Sequence, residues 1–422
     1  MNLENHPCFN DKVRHLYGRV HLPVAPRCNV QCNFCNRKFD CVNESRPGVT
    51  SGILSPEQAL NYLDQVLAIK KNISVVGIAG PGDTFANAEE SLETLRLVRK
   101  KYPDMILCVA TNGLNLEPYA GQLAEIDVSH VSITVNAVDP AIGEKIYSWV
   151  RDGKRTLRAA KGAKNLLEKQ LAGIYALKKN EVAVKINSII LPGVNDHHME
   201  NIAQKMAELN VDILNCIPYY PNEGANFKDM REPSAQIVAR IRKAAGKHIR
   251  QMHHCTRCRA DAVGLLGESP DTKLMSALTT CASEKTEITE NSERPYVAVA
   301  TLEGALINLH LGEACRLQIY GRHNGDKIHL IDNRLTPEPG SGNDRWLKLA
   351  DILKDCRALL VAGVGKNPKQ ILADNGIQVY EMEGLIEDAV GRFYSGENIN
   401  HLIKRDITRC KASCSGTGAG CG

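Results

Sequence analysis

Apolar runs and amphipathic, helix-like stretches alternate along the first 250 residues of the chain. Ser55-Pro56-Glu57 supplies an N-cap, a first-turn proline and a first-turn acid, which predicts a helix to about Ala68. ISVVGIAG (73–80) follows as a buried strand ending in glycine. A helix near 88–101 leads to the strand MILCVATNG (105–113), and a helix at 117–125 leads to VSHVSITVN (128–136). Helical segments at 139–148 and 156–179 precede the strand EVAVKINSIIL (181–191). Helix 196–209 precedes DILNCIPYY (212–220), and a last helix covers 233–247. With a first strand at 18–25 this makes six strands joined by helices. The pattern predicts an α/β fold with a parallel sheet in a partial TIM-like (β/α)6 barrel, ligands gathering at the C-terminal strand ends. Residues 265–294 are polar and weakly patterned and read as a linker. PYVAVATLEG then opens a smaller α/β unit over 295–400. Its strands are expected near 296–302, 305–309, 315–320, 327–331, 357–362 and 377–380, and its helices near 343–354, 367–374 and 384–393. The Gly- and Cys-rich stretch 401–422 reads as a flexible tail. The first domain is thus expected over 1–264.

Length and composition agree with two domains: 422 residues, 43% of them apolar, exceed one ordinary core. The 52 basic and 48 acidic residues leave a net charge of +4, too balanced for a nucleic-acid or membrane-surface partner. No apolar run reaches the ~20 residues of a membrane span, and the start, MNLENHPCFNDKV, lacks a signal-peptide core. A cytoplasmic location is expected. Fifteen cysteines then change the picture, because clustered thiols in a reducing compartment point to metal rather than disulfides. Cys8, Cys28, Cys32, Cys35, Cys41, Cys255 and Cys258 lie in polar or Gly/Pro-rich loops. Cys108, Cys216, Cys315 and Cys356 lie in or beside apolar runs, where an inert thiol is the ordinary case.

In CNVQCNFC (28–35), the CxxxCxxC spacing lets one loop give three thiolates to a cubane cluster, leaving its fourth iron open. A zinc knuckle would ordinarily offer four ligands in CxxC pairs. The loop resembles the signature of the radical S-adenosylmethionine (SAM) superfamily. That resemblance implies a 4Fe–4S cluster on Cys28, Cys32 and Cys35 and reductive cleavage of SAM to a 5′-deoxyadenosyl radical. AGPGD (79–83) resembles the glycine-rich segment that meets the methionine amino group, which implies roles for Gly80, Gly82 and Asp83. ATNG and ITVN end later strands at the same rim, making Asn112, Thr134 and Asn136 candidates for the SAM pocket. KINSI lies where the superfamily's strand meets adenine, which implies Ile186.

The remaining cysteines narrow the reading. Cys8 and Cys41 flank the triad, and HHCTRCRADAVG puts Cys255 and Cys258 in a CxxC loop at the barrel mouth. Such a pair could be redox-active or half a zinc site. Cys108 near its strand end could face the mouth or the core, and His21 could be structural or an iron ligand. HPCFN (6–10), CNVQCNFCNRKFDCVNESRPGVTS (28–51), AGPGD, ATNG and MHHCTRCRADAVG together resemble the NifB family of nitrogenase-cofactor maturases over most of the chain. That resemblance implies two further 4Fe–4S clusters as substrates, one on His21, Cys41 and Cys108, the other on Cys8, Cys255 and Cys258. It implies their fusion around a SAM-derived carbide with a ninth sulfur, giving NifB-co, the precursor of the iron–molybdenum cofactor. Glu44 and Arg46 in CVNESRPG are candidate proton-transfer or positioning groups, or simply part of a solvated loop.

Partners implied are a ferredoxin or flavodoxin as low-potential electron donor, iron–sulfur cluster donors, and downstream carriers or scaffolds. Residues 295–400 resemble the NifX family of cofactor-binding proteins through VAVAT, INLHLGEACRLQIY and CRALLVAGVG, implying an RNase H-like fold and a product-holding role in which His310 could touch a cluster. An unspecific interaction domain is the plainer reading. The tail cysteines Cys410, Cys414 and Cys421 could bind a cluster transiently or simply be exposed. The alternatives carried forward are another radical SAM enzyme with auxiliary clusters, or an iron–sulfur scaffold without catalysis.

Overall fold

A computed structural model of the chain describes residues 5–395 except 38, 43–48, 154, 256–257, 269–270, 284–293, 323–327, 339 and 341. Glu44, Arg46 and the tail cysteines Cys410, Cys414 and Cys421 lie outside the described residues. The chain divides into two compact units, residues 1–287 and 288–422.

The first unit is built on the strands β1 (Gly18–His21), β2 (Val30–Cys32), β3 (Ile73–Ile78), β4 (Ile106–Thr111), β5 (Val128–Thr134), β6 (Tyr147–Asp152), β7 (Arg155–Leu157), β8 (Ala183–Ile190), β9 (Ile213–Pro218) and β10 (Val263–Gly264). Its helices are α1 (Pro56–Ile69), α2 (Ala88–Lys101), α3 (Ala120–Glu125), α4 (Pro140–Ile146), α5 (Ala159–Lys179), α6 (Met199–Glu208), α7 (Ala235–Ala245) and α8 (Thr272–Ser283). Six parallel strands stand in the order β1-β3-β4-β5-β8-β9, and β10 closes the β1 edge antiparallel. This is the expected six-stranded partial barrel. Helix α1 shows why the sequence signals hold. Ser55 Oγ accepts the Gln58 N–H while the Gln58 side chain accepts the Ser55 N–H, Pro56 fills the first turn, and Ala59, Tyr62, Leu63 and Val66 bury one stripe.

Two expectations change. The helix foreseen over 139–148 stops at Ile146, and the chain forms a hairpin of β6 and β7 instead. Tyr147, Trp149, Val150 and Thr156 favour extended backbone, and Gly153 turns the hairpin at φ +55°. β2 adds to this hairpin as a third strand, so the small sheet braces the cysteine loop. The stretch 265–294, read as a linker, contains α8. Asp271 Oδ1 accepts the N–H groups of Lys273 and Leu274, and Leu274, Leu278 and Cys281 are buried in the core of the first unit. Their spacing puts three apolar side chains on one face, and that short stripe was hidden among polar flanks.

The second unit contains β11 (Tyr296–Val299), β12 (Leu306–Ile307), β13 (Arg316–Arg322), β14 (Ile328–Leu335), β15 (Cys356–Val361), β16 (Gln378–Glu381) and β17 (Gly384–Leu385), with α9 (Asn343–Ile352), α10 (Lys366–Asp374) and α11 (Ile386–Ser395). The sheet order is β14-β13-β11-β15-β16. β13 runs antiparallel to both neighbours, and β11, β15 and β16 are parallel, which is the expected RNase H-like arrangement. The segment foreseen as a strand at 305–309 pairs instead with β17 in a separate two-stranded ribbon. Among the described residues no helix is long and apolar enough to cross a membrane.

Candidate functional site

The cysteine triad sits on the loop after β1. Pairing of β2 with β6 (Val30 with Val150, Cys32 with Tyr147) fixes one side of the loop. Cys35 N–H donates to the Cys32 carbonyl at 3.0 Å, and Gln31 Nε2 donates to the carbonyls of Cys32 (3.1 Å) and Cys35 (2.9 Å). Cys28, Cys32 and Cys35 are all buried and line one chamber with Arg37, Cys41 and the ends of β4 and β5.

Burial pushes the Cys28 thiol up to about 11, against the pull of the Arg37 guanidinium, and raises Cys35 for the same reason. Arg37 is anchored by donating to the carbonyls of Pro26 (2.9 Å) and Pro81 (3.2 Å). Three buried thiols beside the Arg37 guanidinium suit a positively charged iron cluster core, which supplies the charge that their thiolates need. The residues therefore fit the cluster that the spacing predicts.

The glycine-rich segment closes this chamber from β3. A Cβ on Gly82 would lie 2.2 Å from the Arg27 carbonyl oxygen, so only glycine allows the segment to lie against the chain entering the triad. Gly82 N–H donates to the Ala25 carbonyl at 2.6 Å, and Gly80 adopts φ +121°. The Asp83 carboxylate is occupied by four protein donors: Phe85 N–H (3.0 Å), Ala86 N–H (3.1 Å), Thr111 Oγ1 (2.9 Å) and Asn112 N–H (2.5 Å). Asp83 thus latches β3's exit to β4's end. Asn112 Nδ2 reaches Asn29 Oδ1 at 2.7 Å and lies 3.9 Å from Cys28 Sγ. Thr134 lines the same chamber, whereas Asn136 is wholly buried, its Oδ1 accepting the Ile189 N–H and its carbonyl accepting from Asn195.

Ile186 requires a correction. Lys185 and Asn187 line the barrel interior, so the alternation of β8 turns Ile186 to the opposite face. There it is fully buried in the core shared with the helices, away from any nucleotide in the chamber.

A second chamber, with an open volume of about 670 Å³, adjoins the first at Ala110, which lines both. It collects Cys8, His21, Cys108, Cys255 and Cys258. His21 pairs with Gly77 across β1 and β3, and Gly77 with Cys108 across β3 and β4. The His21 ring donates Nδ1–H to the Arg259 carbonyl at 2.9 Å, leaving Nε2 as the basic atom, the arrangement of a metal-ligating imidazole. Burial pushes His21 down to about 4, which keeps it neutral. Burial raises the Cys8 thiol to about 11, and the thiols of Cys255 and Cys258 act on it electrostatically in the same direction. Arg19 Nε lies 3.2 Å from Cys258 Sγ. Cys41 lines the triad chamber, with its N–H donating to Pro81, so the structure places it apart from the cavity shared by His21 and Cys108.

Several chamber residues escaped the reading of the sequence: His6, Arg19, Arg37, His130 and Lys185. A signal was present for three of them. Arg19, His130 and Lys185 are charged or titratable side chains set inside strands whose residues are all buried, where such groups seldom lie without a partner or a ligand. In the second unit, His310 is exposed and its Nδ1 accepts the Gly312 N–H at 3.1 Å.

Comparison with known proteins follows the same division. Residues 22–206 match the family model of the Radical SAM superfamily, and residues 293–396 match that of the Dinitrogenase iron-molybdenum cofactor family. The FeMo cofactor biosynthesis protein NifB of Chlorobaculum tepidum is 54% identical, over 100% of this chain and 99% of that protein. The proteins of that name from Klebsiella pneumoniae and Azotobacter vinelandii are 37% and 35% identical, covering 88% and 93% of this chain and 86% and 88% of their own length.

Proposed function

This chain belongs to the NifB family of FeMo cofactor biosynthesis proteins, and we propose that it fuses two 4Fe–4S substrate clusters into the iron–sulfur core from which that cofactor is made. It is a radical SAM enzyme of that biosynthesis. The observation that carries the finer reading is the pair of adjoining chambers. One is lined by the triad and the AGPGD segment, the other by seven further sulfur and imidazole donors with room for more than a single ion.

When bound, the triad's cluster supplies the electron that cleaves SAM. The protein's own part is positional. Gly82, Asp83 and Asn112 hold the rim of the triad chamber, Arg37 balances thiolate charge, and the chambers meet at Ala110 so that a radical formed in one reaches a substrate in the other. In the proposed reaction one SAM methylates a sulfide of a substrate cluster. A second SAM yields the radical that abstracts hydrogen from that methyl. Further deprotonation leaves a carbide in the fused product, and a ninth sulfur is supplied from outside. His21, Cys8, Cys108, Cys255 and Cys258 of the second chamber are the proposed substrate-cluster ligands, with Cys41 offered from the adjoining triad chamber. Attachment by few protein bonds suits a cluster that must leave. The partners this requires are a ferredoxin or flavodoxin, cluster donors and a downstream carrier. The second unit, matching a cofactor-binding family, is proposed to hold product.

The test is anaerobic reconstitution followed by SAM and a strong reductant. The reading requires about twelve irons per chain, three clusters of four. It also requires both 5′-deoxyadenosine and S-adenosylhomocysteine, and a product that activates cofactor-free nitrogenase. Iron uptake without SAM turnover would favour a scaffold, and deoxyadenosine without methyl transfer another radical SAM chemistry.

A further inference from the structure

The second chamber holds more imidazole than its cysteines explain. His6, Cys108 and His130 each place a donor atom within 4.8 Å of the other two. His6 and His130 are almost completely buried, with rings edge-to-face at 4.5 Å between centroids.

Hydrogen bonds fix the tautomers of the two rings in opposite senses. The Ser129 hydroxyl donates to the Leu107 carbonyl at 2.8 Å, so its oxygen accepts from His130 Nδ1–H at 3.3 Å. His130 Nε2 is left with its lone pair. His6 Nδ1 instead accepts the Cys8 N–H at 3.0 Å, so the His6 proton is on Nε2. That Nε2–H is buried and has no partner among the described residues. A buried donor left unmatched costs roughly 1–3 kcal/mol, which a sulfur acceptor in the chamber would offset. Burial keeps both rings neutral, His6 down to about 3 and His130 well below its ordinary value.

Register completes the picture. His21, Gly77, Cys108 and His130 form one row across β1, β3, β4 and β5. Cys108 therefore has an imidazole on either side, His21 beyond the gap over Gly77 and His130 on the neighbouring strand. His130 carries the same ligand-competent tautomer as His21: Nδ1–H engaged by an oxygen, Nε2 basic.

We propose that His130 is a second nitrogen ligand to the iron–sulfur substrate bound at Cys108. This rests on the reading that the chamber takes such clusters, and it adds a ligand to that reading's set. Two neutral imidazoles flanking one thiolate would give two irons of the cluster a nitrogen ligand each while a third iron stays on Cys108.

The experiment uses the full chain labelled with ¹⁵N-histidine, reconstituted anaerobically without SAM, reduced, and read by pulsed EPR. Wild type should show two inequivalent ligand-strength ¹⁵N couplings. His21→Ala should keep one, His130→Gln should keep one, and the double variant should keep none. In each, the triad's SAM-dependent EPR change serves as the check on folding. A single coupling in wild type overturns the inference without any variant, as does His130→Gln retaining both. Failure of the two readings is distinguishable. About four irons per chain with no ¹⁵N coupling overturns the cluster-fusion reading and this one together. About twelve irons with one coupling overturns only the ligand assigned to His130.

Discussion

His21 and Cys108 face the same gap above Gly77: a Cβ built there would lie 3.1 Å from His21 Cδ2 and 2.9 Å from Cys108 Sγ. Two potential iron ligands on strands separated by a third are thus joined through the one residue between them that has no side chain. Gly77→Ala should push both aside, and a well-packed interior resists such insertion. The expected outcome is loss of about four irons per chain on reconstitution, one cluster's worth. The triad's EPR signal and deoxyadenosine formation should survive, because Gly77 does not line the triad chamber. Full iron loading in the variant would remove this gap from the site.

Arg37 is a fixed cation of the triad chamber, and its removal has a defined sign. It lowers the thiols of Cys28 and Cys35, which burial raises. In Arg37→Met those thiols move further up. Metal must displace their protons, so apparent iron affinity at neutral pH should fall and recover as pH rises. Iron uptake and the SAM-dependent EPR change, followed against pH, check this. A loss equal at every pH would mean that Arg37 acts only by bracing the Pro26 and Pro81 carbonyls.

Leu278 tests where the first unit ends. It is buried with Leu274 and Cys281 on the core-facing side of α8. Leu278→Ala should cost about 2–5 kcal/mol, the range for emptying a large buried site. A chain ending after residue 264 should unfold at markedly lower denaturant than one ending after residue 287. Equal midpoints would return α8 to the role of a tether.

The sequence carried the parts of the fold that depend on local rules. Caps such as Ser55 and the apolar period of the six parallel barrel strands act within a few residues, and each is where the pattern put it. What escaped depends on which face a residue presents and what faces it. Ile186 and Lys185 are neighbours in a strand buried on both sides, and alternation does not reveal which side is the cavity. His130 looks like one more polar residue until β4 brings Cys108 beside it. The β6–β7 hairpin begins directly after a short helix, and pairing with β2 adds to the extended preference of Tyr147, Trp149 and Val150 the partner that the local pattern does not show. Asp83 was legible as a residue of the mouth, but two of its four protein donors, Thr111 and Asn112, come from a strand end distant in sequence.

His198 offers a pH test at the rim, away from every proposed ligand. Its Nε2 accepts the Val138 N–H at 3.2 Å, tying the start of α6 to the chain leaving β5. Burial lowers its pKa below the ordinary 6.5, against the pull of Asp139. A histidine with a lowered folded pKa binds its proton more readily when unfolded. Its contribution is therefore present above pH 6.5 and is lost as pH falls below that value. Protonation also removes the lone pair that Val138 uses. Gln at this position keeps an acceptor but does not titrate. Urea unfolding of the cluster-free protein at about pH 7.5 and about pH 5.5 should show a smaller loss of midpoint in His198→Gln than in wild type, with similar midpoints at the higher pH. Equal losses in the two proteins would place the acid sensitivity of the barrel elsewhere.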